Sequence, residues 1–527
     1  MKKFLVFRQR KIFFFFVSVL LIALIPFLFD VYFTTPDDPR YIALVSGAYT
    51  GTPEKELVFV GSILGFFEAK LYSFYPDLEW YSIVFYLCTL FAFAAIFWQV
   101  LIADFSKWKK ISIASLVLIS QVYLSLTPQF TTLATQLSFA SLVLLLSKNC
   151  GRKKYWQIIF LFFLATQFRL AAAFLPYMIA CPLFLEDMNM KSTKWWKEKT
   201  WLGGVVFVAF VSFATDKYVY HSDEWDTFNT INDARGYIAD NPLAAFYSNE
   251  INDTEDRLAY DLYYRYRIFD LNILTSEKLQ KYQQVFKQRT FETIRFNGRE
   301  YLITYWNMGG WIVLLLSFWL IIELIRKRNW HVLMLFGGTL AMFALANLHM
   351  MSTSFPKERV MLGSYVTLLF VILYLVSKCS YYSRIIIIIV CIVSSIQYVS
   401  KDYECLKDTM QPRPIIVETE SMIEKVKDAK VMLPVPTYLT PEAFHTSKSP
   451  IYTNTIIQGW MHFYPKVDLK YQPFTAFLDS FPILIKKNTL EQLDIIQKLL
   501  KLHYHIDSRQ KILDESEHYY MVRIDKI

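Results

Sequence analysis

The chain has 527 residues, of which 54% are apolar, 17% aromatic and only 19% charged, with a formal net charge of +9. A soluble globular chain carries about 25% charged residues and no apolar run near 18 residues, so a purely soluble enzyme is excluded. Fifteen unpatterned glycines exclude fibrous and low-complexity classes, and apolar runs without period-two alternation exclude an outer-membrane barrel.

The expected fold is mostly α: a polytopic helical membrane protein with a small extracytoplasmic α/β domain at its C-terminus. Eleven apolar segments are predicted to span, at 12–29, 81–103, 111–126, 132–147, 156–168, 170–185, 201–220, 304–325, 331–350, 360–377 and 385–400. The first follows Lys2, Lys3, Arg8, Arg10 and Lys11 and is followed by bulky Phe29-Asp30-Val31-Tyr32-Phe33 in place of a small-residue cleavage site. It reads as a retained anchor. Lys and Arg set the orientation. Twenty-one of them lie in 1–11, 104–110, 148–154, 186–200, 326–330 and 378–384, against three in 127–131, 169 and 351–359. The N-terminus is therefore expected inside and the C-terminus outside. Both ends of 156–185 are basic, so the chain has to cross twice there or re-enter. On this reading the surplus positive charge is topological and does not point to nucleic acid.

The bulk of the non-spanning chain falls on the outer side, in loops 30–80 and 221–303 of a transmembrane domain 1–400 and in a domain 401–527. Inner loops are too short for a nucleotide-binding domain, and there is no GxxxxGK[ST]. ATP-driven transport and cytosolic nucleotide donors are disfavoured. Of the six cysteines only Cys405 faces out, so no outer disulfide is expected, and no spacing indicates zinc.

The first outer loop opens Thr34-Thr35-Pro36-Asp37-Asp38-Pro39-Arg40-Tyr41. Two carboxylates just beyond a span suit a divalent metal held by oxygen, or a general base at the membrane surface. They also suit a helix start with proline at its first position. A turn-rich link, Ser46 to Pro53, leads to an aromatic stretch 57–75 that fits flat against the interface. Arg169, between two short apolar segments, needs a partner, and a lipid phosphate or the outer headgroups would serve. In Ser352-Thr353-Ser354-Phe355-Pro356-Lys357-Glu358-Arg359 two cations break the charge asymmetry. They read as an anion site or as an interface anchor. Loop 221–303, rich in tyrosine, reads as a helical lid, solvated or sugar-binding. In the C-terminal part, 417–429 and 488–502 read as helices and Val431–Val435 and 518–525 as strands. There Asn454, Trp460 and His462 are either core residues or ligand contacts.

The acidic pair after the first span, the dozen or so spans, the large outer loop, the late outer arginine and the soluble outer C-terminus resemble the GT-C superfamily of integral membrane glycosyltransferases. Asp37-Asp38 through Ser46-Gly47-Ala48-Tyr49-Thr50-Gly51-Thr52-Pro53, Trp80-Tyr81 and Glu358-Arg359-Val360 are similar to a group of Gram-positive polytopic membrane proteins. The resemblance implies a multi-pass protein of a bacterial plasma membrane that takes a polyprenyl-phosphate-linked sugar as donor and a cell-envelope glycan or lipid-linked acceptor. It implies Asp37 or Asp38 as base or as ligand to a divalent cation (Mg or Mn), and Arg359, with Lys357 and Arg169 assisting, as donor-phosphate ligand. The chain departs from the pattern in lacking a second acidic motif in a later outer loop. The competing readings are a capsule- or O-antigen-type polymerase and a non-enzymatic flippase, transporter or envelope scaffold.

Overall fold

The computed structural model describes residues 2–147, 152–185, 200–268, 270–379, 383–409, 414–426, 430–433, 441–467 and 473–527. The basic residues expected inside at 148–151 and 186–199, and the end of the expected strand at 434–435, lie outside these.

The chain is mostly helical. In order, the longer helices are α1 (Lys2–Leu28), α2 (Asp37–Val45), α3 (Ser62–Phe74), α4 (Trp80–Ile102), α5 (Lys107–Leu126), α6 (Phe130–Leu146), α7 (Arg152–Leu185), α8 (Thr200–Val219), α9 (Asp223–Asp240), α10 (Thr254–Tyr266), α11 (Ser276–Gln288), α12 (Thr290–Asn307), α13 (Gly310–Arg326), α14 (Trp330–Met351), α15 (Glu358–Cys379), α16 (Ser383–Thr409), α17 (Pro414–Glu424) and α18 (Glu491–Tyr504). Among the described residues, eight helices are long and apolar enough to cross a membrane, or nine if the bent pair α12–α13 is one span. Three differences separate this from the eleven segments expected. First, α6 has 17 residues, short of a full span. Second, the expected span 304–325 is divided by a bend of 85° between α12 and α13.

The third difference is at 156–185, which runs as one helical stretch broken at Arg169 (φ −165°, ψ 109°). By length alone it passes for a single span, but the side chains show a hairpin. Residues 162 and 177 of a straight helix would stand about 22 Å apart. Their rings are 5.1 Å apart, and Phe162 also meets Phe174 at 5.6 Å. The two halves fold back on each other, with Arg169 at the tip.

The expected lid is a stack of helices with ordinary start signals. Ser222 caps α9, Asp253 caps α10 and Thr275 caps α11, each accepting from a backbone N–H of the first turn. The C-terminal unit begins at α17, later than expected, because α16 continues past residue 400. It holds β1 (Val431–Leu433), β2 (Thr455–Ile457), β3 (Ile483–Lys486), β4 (Ser508–Glu515) and β5 (Tyr519–Lys526), in the order β2-β1-β3-β5-β4. β1 is parallel to β2 and β3, and β5 is antiparallel to β3 and β4.

Loop 30–80, the lid and the C-terminal unit share one continuous core. The joints are polar as well as apolar. Tyr32 and Glu442 form an antiparallel bridge, and the Ala443 amide donates to Val31 O at 2.8 Å. The Ser447 hydroxyl donates to buried Glu79 at 2.6 Å, and Tyr464 OH to Glu56 O at 3.0 Å. On the lid side, Asp270 accepts from the Phe474 amide at 2.7 Å and from Tyr504 OH at 2.6 Å.

Candidate functional site

α2 carries the acidic pair into the middle of this shared core. Asp37 and Asp38 form its first turn, with Pro39 third, a favourable start because carboxylates lie at the positive end of the helix dipole. The Thr34 amide donates to Pro128 O at 3.1 Å and so ties the entry of α2 to the entry of α6.

Asp38 is fully buried and its carboxylate is well supplied with donors. Oδ1 accepts from Tyr81 OH at 2.9 Å and from the Phe130 amide at 3.1 Å, and Oδ2 accepts from Thr35 Oγ1 at 3.2 Å. One side chain thereby joins α2, α4 and α6. Burial, the largest cause, pushes its carboxyl up to about 8; the Tyr81 hydrogen bond opposes the rise and the neighbouring Asp37 charge adds to it. Asp37 keeps 20% of its side chain exposed. It accepts from Trp460 Nε1 at 3.3 Å and faces Arg40 at 3.8 Å, and the Arg40 guanidinium lies over the Trp460 ring.

Arg169, at the hairpin tip, donates to Thr131 Oγ1 at 2.8 Å and stacks on Phe130 and Phe59. The tip is held by the Gly61 amide, which donates to Gln167 O at 2.6 Å; a Cβ on Gly61 would stand 2.6 Å from the Gln167 side chain. Arg359 opens α15 and lines a cleft of about 390 Å³ with Thr34, Thr35, Tyr123, Leu124, Thr132 and Leu362. Lys357 and Glu358 also line it, but Lys357 is paired with Asp240 of the lid at 2.5 Å and Glu358 with Lys401 at 3.1 Å. The Phe355 amide donates to Asp240 O at 3.0 Å, fastening the lid to this loop.

Four of the five charged side chains singled out by sequence act electrostatically on Tyr41. Its hydroxyl is fully buried and lies within the fields of Asp37, Arg169, Asp38 and Arg359. Among the described residues it has no hydrogen-bond partner, and neither has the buried Arg359 Nε. The Tyr41 ring packs edge-on to Phe130 at 5.3 Å and tilts against Trp460 at 6.0 Å. Burial, and then the Asp37 charge, drive its phenol well above the usual tyrosine range, so it stays a donor.

The expected residues are thus brought together with unequal access. Arg359 and Lys357 line the cleft and the Asp37 side chain is partly exposed, whereas Asp38 is sealed. Trp460 joins the site, His462 packs against Phe463 and Phe477, and Asn454 donates to Val426 O at 3.0 Å in the C-terminal unit. Sequence reasoning gave no role to Tyr41, Tyr81, Arg40 or Asp240. Tyr41 and Arg40 lie three or fewer residues from Asp38, and that proximity was the available signal. A Mg-type cation draws on one or two carboxylates together with substrate phosphate oxygens. Both Asp38 oxygens already accept, so Asp37 is the carboxylate that would hold such an ion. Among the described residues no group of three His, Cys, Asp or Glu is gathered for a metal. No known protein-family model and no curated protein matches this chain in sequence.

Proposed function

We propose that this chain is an integral membrane glycosyltransferase of the GT-C type. On this reading it moves a sugar from a polyprenyl-phosphate donor to a cell-envelope glycan or lipid-linked acceptor on the outer face of a bacterial plasma membrane. The observation that carries the proposal is the pair of buried donors without acceptors among the described residues, Tyr41 OH and Arg359 Nε, which feel each other's charge, with Arg359 lining the cleft. An unsatisfied buried donor costs about 1–3 kcal/mol, and a cluster of them in a native fold calls for an absent acceptor. A phosphate oxygen meets that need, and Arg169 and Arg359 supply its countercharge.

The geometry suits the chemistry. The cleft walls between α5 and α15 include Tyr123, Leu124 and Leu362, which fit an isoprenoid chain, with Arg359 at the polar end. In the reaction the acceptor hydroxyl oxygen bonds to the anomeric carbon and the bond from that carbon to the phosphate oxygen breaks. The electron pair leaves with polyprenyl phosphate, where Arg359 and Tyr41 stabilise it. Asp37, the accessible carboxylate, takes the acceptor proton. Asp38 acts as a positioning residue by fixing α2 against α4 and α6. Lys357, held by Asp240, orients the loop. No step runs through a cation. The Lys and Arg bias of the short loops in the sequence supports reading the site's end as the outer one.

The test is sugar transfer by the full chain in proteoliposomes with a defined polyprenyl-phosphate sugar. Asp37→Asn should lower the rate by about 10²–10⁴-fold and Arg359→Gln by about 10²–10³-fold, with unchanged thermal stability. Normal transfer by both variants would end the proposal.

A further inference from the structure

The 85° bend between α12 and α13 sets α12 across the axis of an apolar helix whose own outward side chains, Leu314, Leu315 and Phe318, are exposed. The corner is built on Gly309, at φ +98°, where a Cβ would stand 2.6 Å from Gln397 Oε1 and 2.8 Å from Tyr365 OH. α12 has two unlike faces. Thr293, Asn297 and Tyr301 are buried, and two of them hold the loop before Arg359: Asn297 Nδ2 donates to Met351 O and Ser354 O, each at 2.9 Å, and Tyr301 OH to Ser354 O at 3.4 Å. The opposite face is open. Toward the corner it carries Leu302 (72% exposed), Ile303 and Trp306 (59%), and further from it Arg295 and Arg299 together with exposed Glu292 and Glu300, flanked by Phe291 and Phe296.

We infer that α12 is an in-plane helix seated in the headgroup layer of the site-side leaflet, with Arg295 and Arg299 bound to the phosphates of anionic lipids. The occupant of this face is the bilayer, because the face continues without a break into the exposed side chains of α13. Its polarity is graded as a membrane surface requires: apolar where α12 meets the span, charged where it leaves it. Arginine stems reach along such an interface and bind phosphate in bidentate fashion, and tryptophan favours the same depth. Because the buried face of α12 bonds the 351–354 backbone, lipid contact sets the height of the loop that ends in Arg359. The inference rests on membrane embedding and does not depend on which reaction the site performs.

The experiment uses the full chain in nanodiscs with its six cysteines replaced and single spin labels introduced by Leu302→Cys, Trp306→Cys and, as an aqueous reference, Glu517→Cys at the exposed β4–β5 turn. Collision accessibility to oxygen and to a water-soluble nickel chelate is read for each. The 302 and 306 labels should show an oxygen-to-nickel ratio several-fold above that at 517. A ratio equal to the reference at both positions overturns the seating. In a second arm, phosphatidylglycerol added to phosphatidylcholine discs should deepen the 302 label, and Arg295→Gln with Arg299→Gln should abolish that response. A response unchanged in the double variant, or absent in the parent, overturns anionic-lipid binding.

Discussion

Asp38 and Tyr41 stand three residues apart on α2 and differ in what surrounds them: among the described residues the buried carboxylate has three donors and the buried phenol no partner. Tyr41→Phe removes an unsatisfied group, so the ligand-free variant should be as stable as the parent or up to about 1–3 kcal/mol more stable. The thermal shift produced by polyprenyl phosphate should shrink. A fall in ligand-free stability with an intact shift would contradict the assignment. For Asp38 the sign follows from its carboxyl, raised from 3.8 to about 8. The folded chain retains a proton that the unfolded chain releases, so the contribution is complete below about pH 4 and is lost as pH rises through about 8. Asp38→Asn, which keeps an acceptor for Tyr81, should therefore flatten the fall in melting temperature between about pH 4 and about pH 8. Parallel profiles for variant and parent would rule this out. The acidic pair and Arg359 were readable in the sequence because charge contrasts with an apolar surround. Tyr41 and Tyr81 were not, because aromatic residues are too frequent in this chain to stand out; Trp460 was named only as a core residue or a ligand contact, and no local pattern told the sealed Asp38 from the accessible Asp37.

Two elements turn where a hydropathy profile runs on. At Arg169 the turn was readable, because an arginine between two short apolar runs with basic flanks leaves few alternatives, and the ring contacts between 162, 174 and 177 bear out the reversal. At 307–310 it was not, since Asn307-Met308-Gly309-Gly310 interrupts the apolar run too briefly to show an 85° corner. Gly309→Ala tests that corner. Left-handed backbone and the close approach of Gln397 and Tyr365 predict a loss of about 1–3 kcal/mol, read as thermal unfolding in detergent. An unaffected melting temperature would show that the corner relaxes. Strands β2 and β3, of three and four residues, escaped prediction because strands this short and almost wholly buried show no alternation. β5 and the lid helices were found because their patterns are longer.

Three chain segments separated by bundles of helices, 30–80, 221–303 and 414–527, meet at one end of the molecule and share a core. Charge asymmetry assigned them to one side, which is a statement about loops, but pairings such as Asp37 with Trp460 or Lys357 with Asp240 cannot be derived from a single sequence. The orientation itself predicts that, in intact cells, a membrane-impermeant maleimide labels a single cysteine at Glu517 and spares one at Lys327. The reverse labelling would place the site on the cytosolic face and remove the lipid-linked donor chemistry. The most direct measurement is photolabelling of the full chain in membranes with a diazirine-bearing polyprenyl phosphate, followed by peptide mapping. Adducts should fall in 123–132 and 357–362, be competed away by unlabelled polyprenyl phosphate and be suppressed by Arg359→Gln. Adducts spread over the exposed faces of the spans, insensitive to competitor and to the variant, would contradict a donor site there.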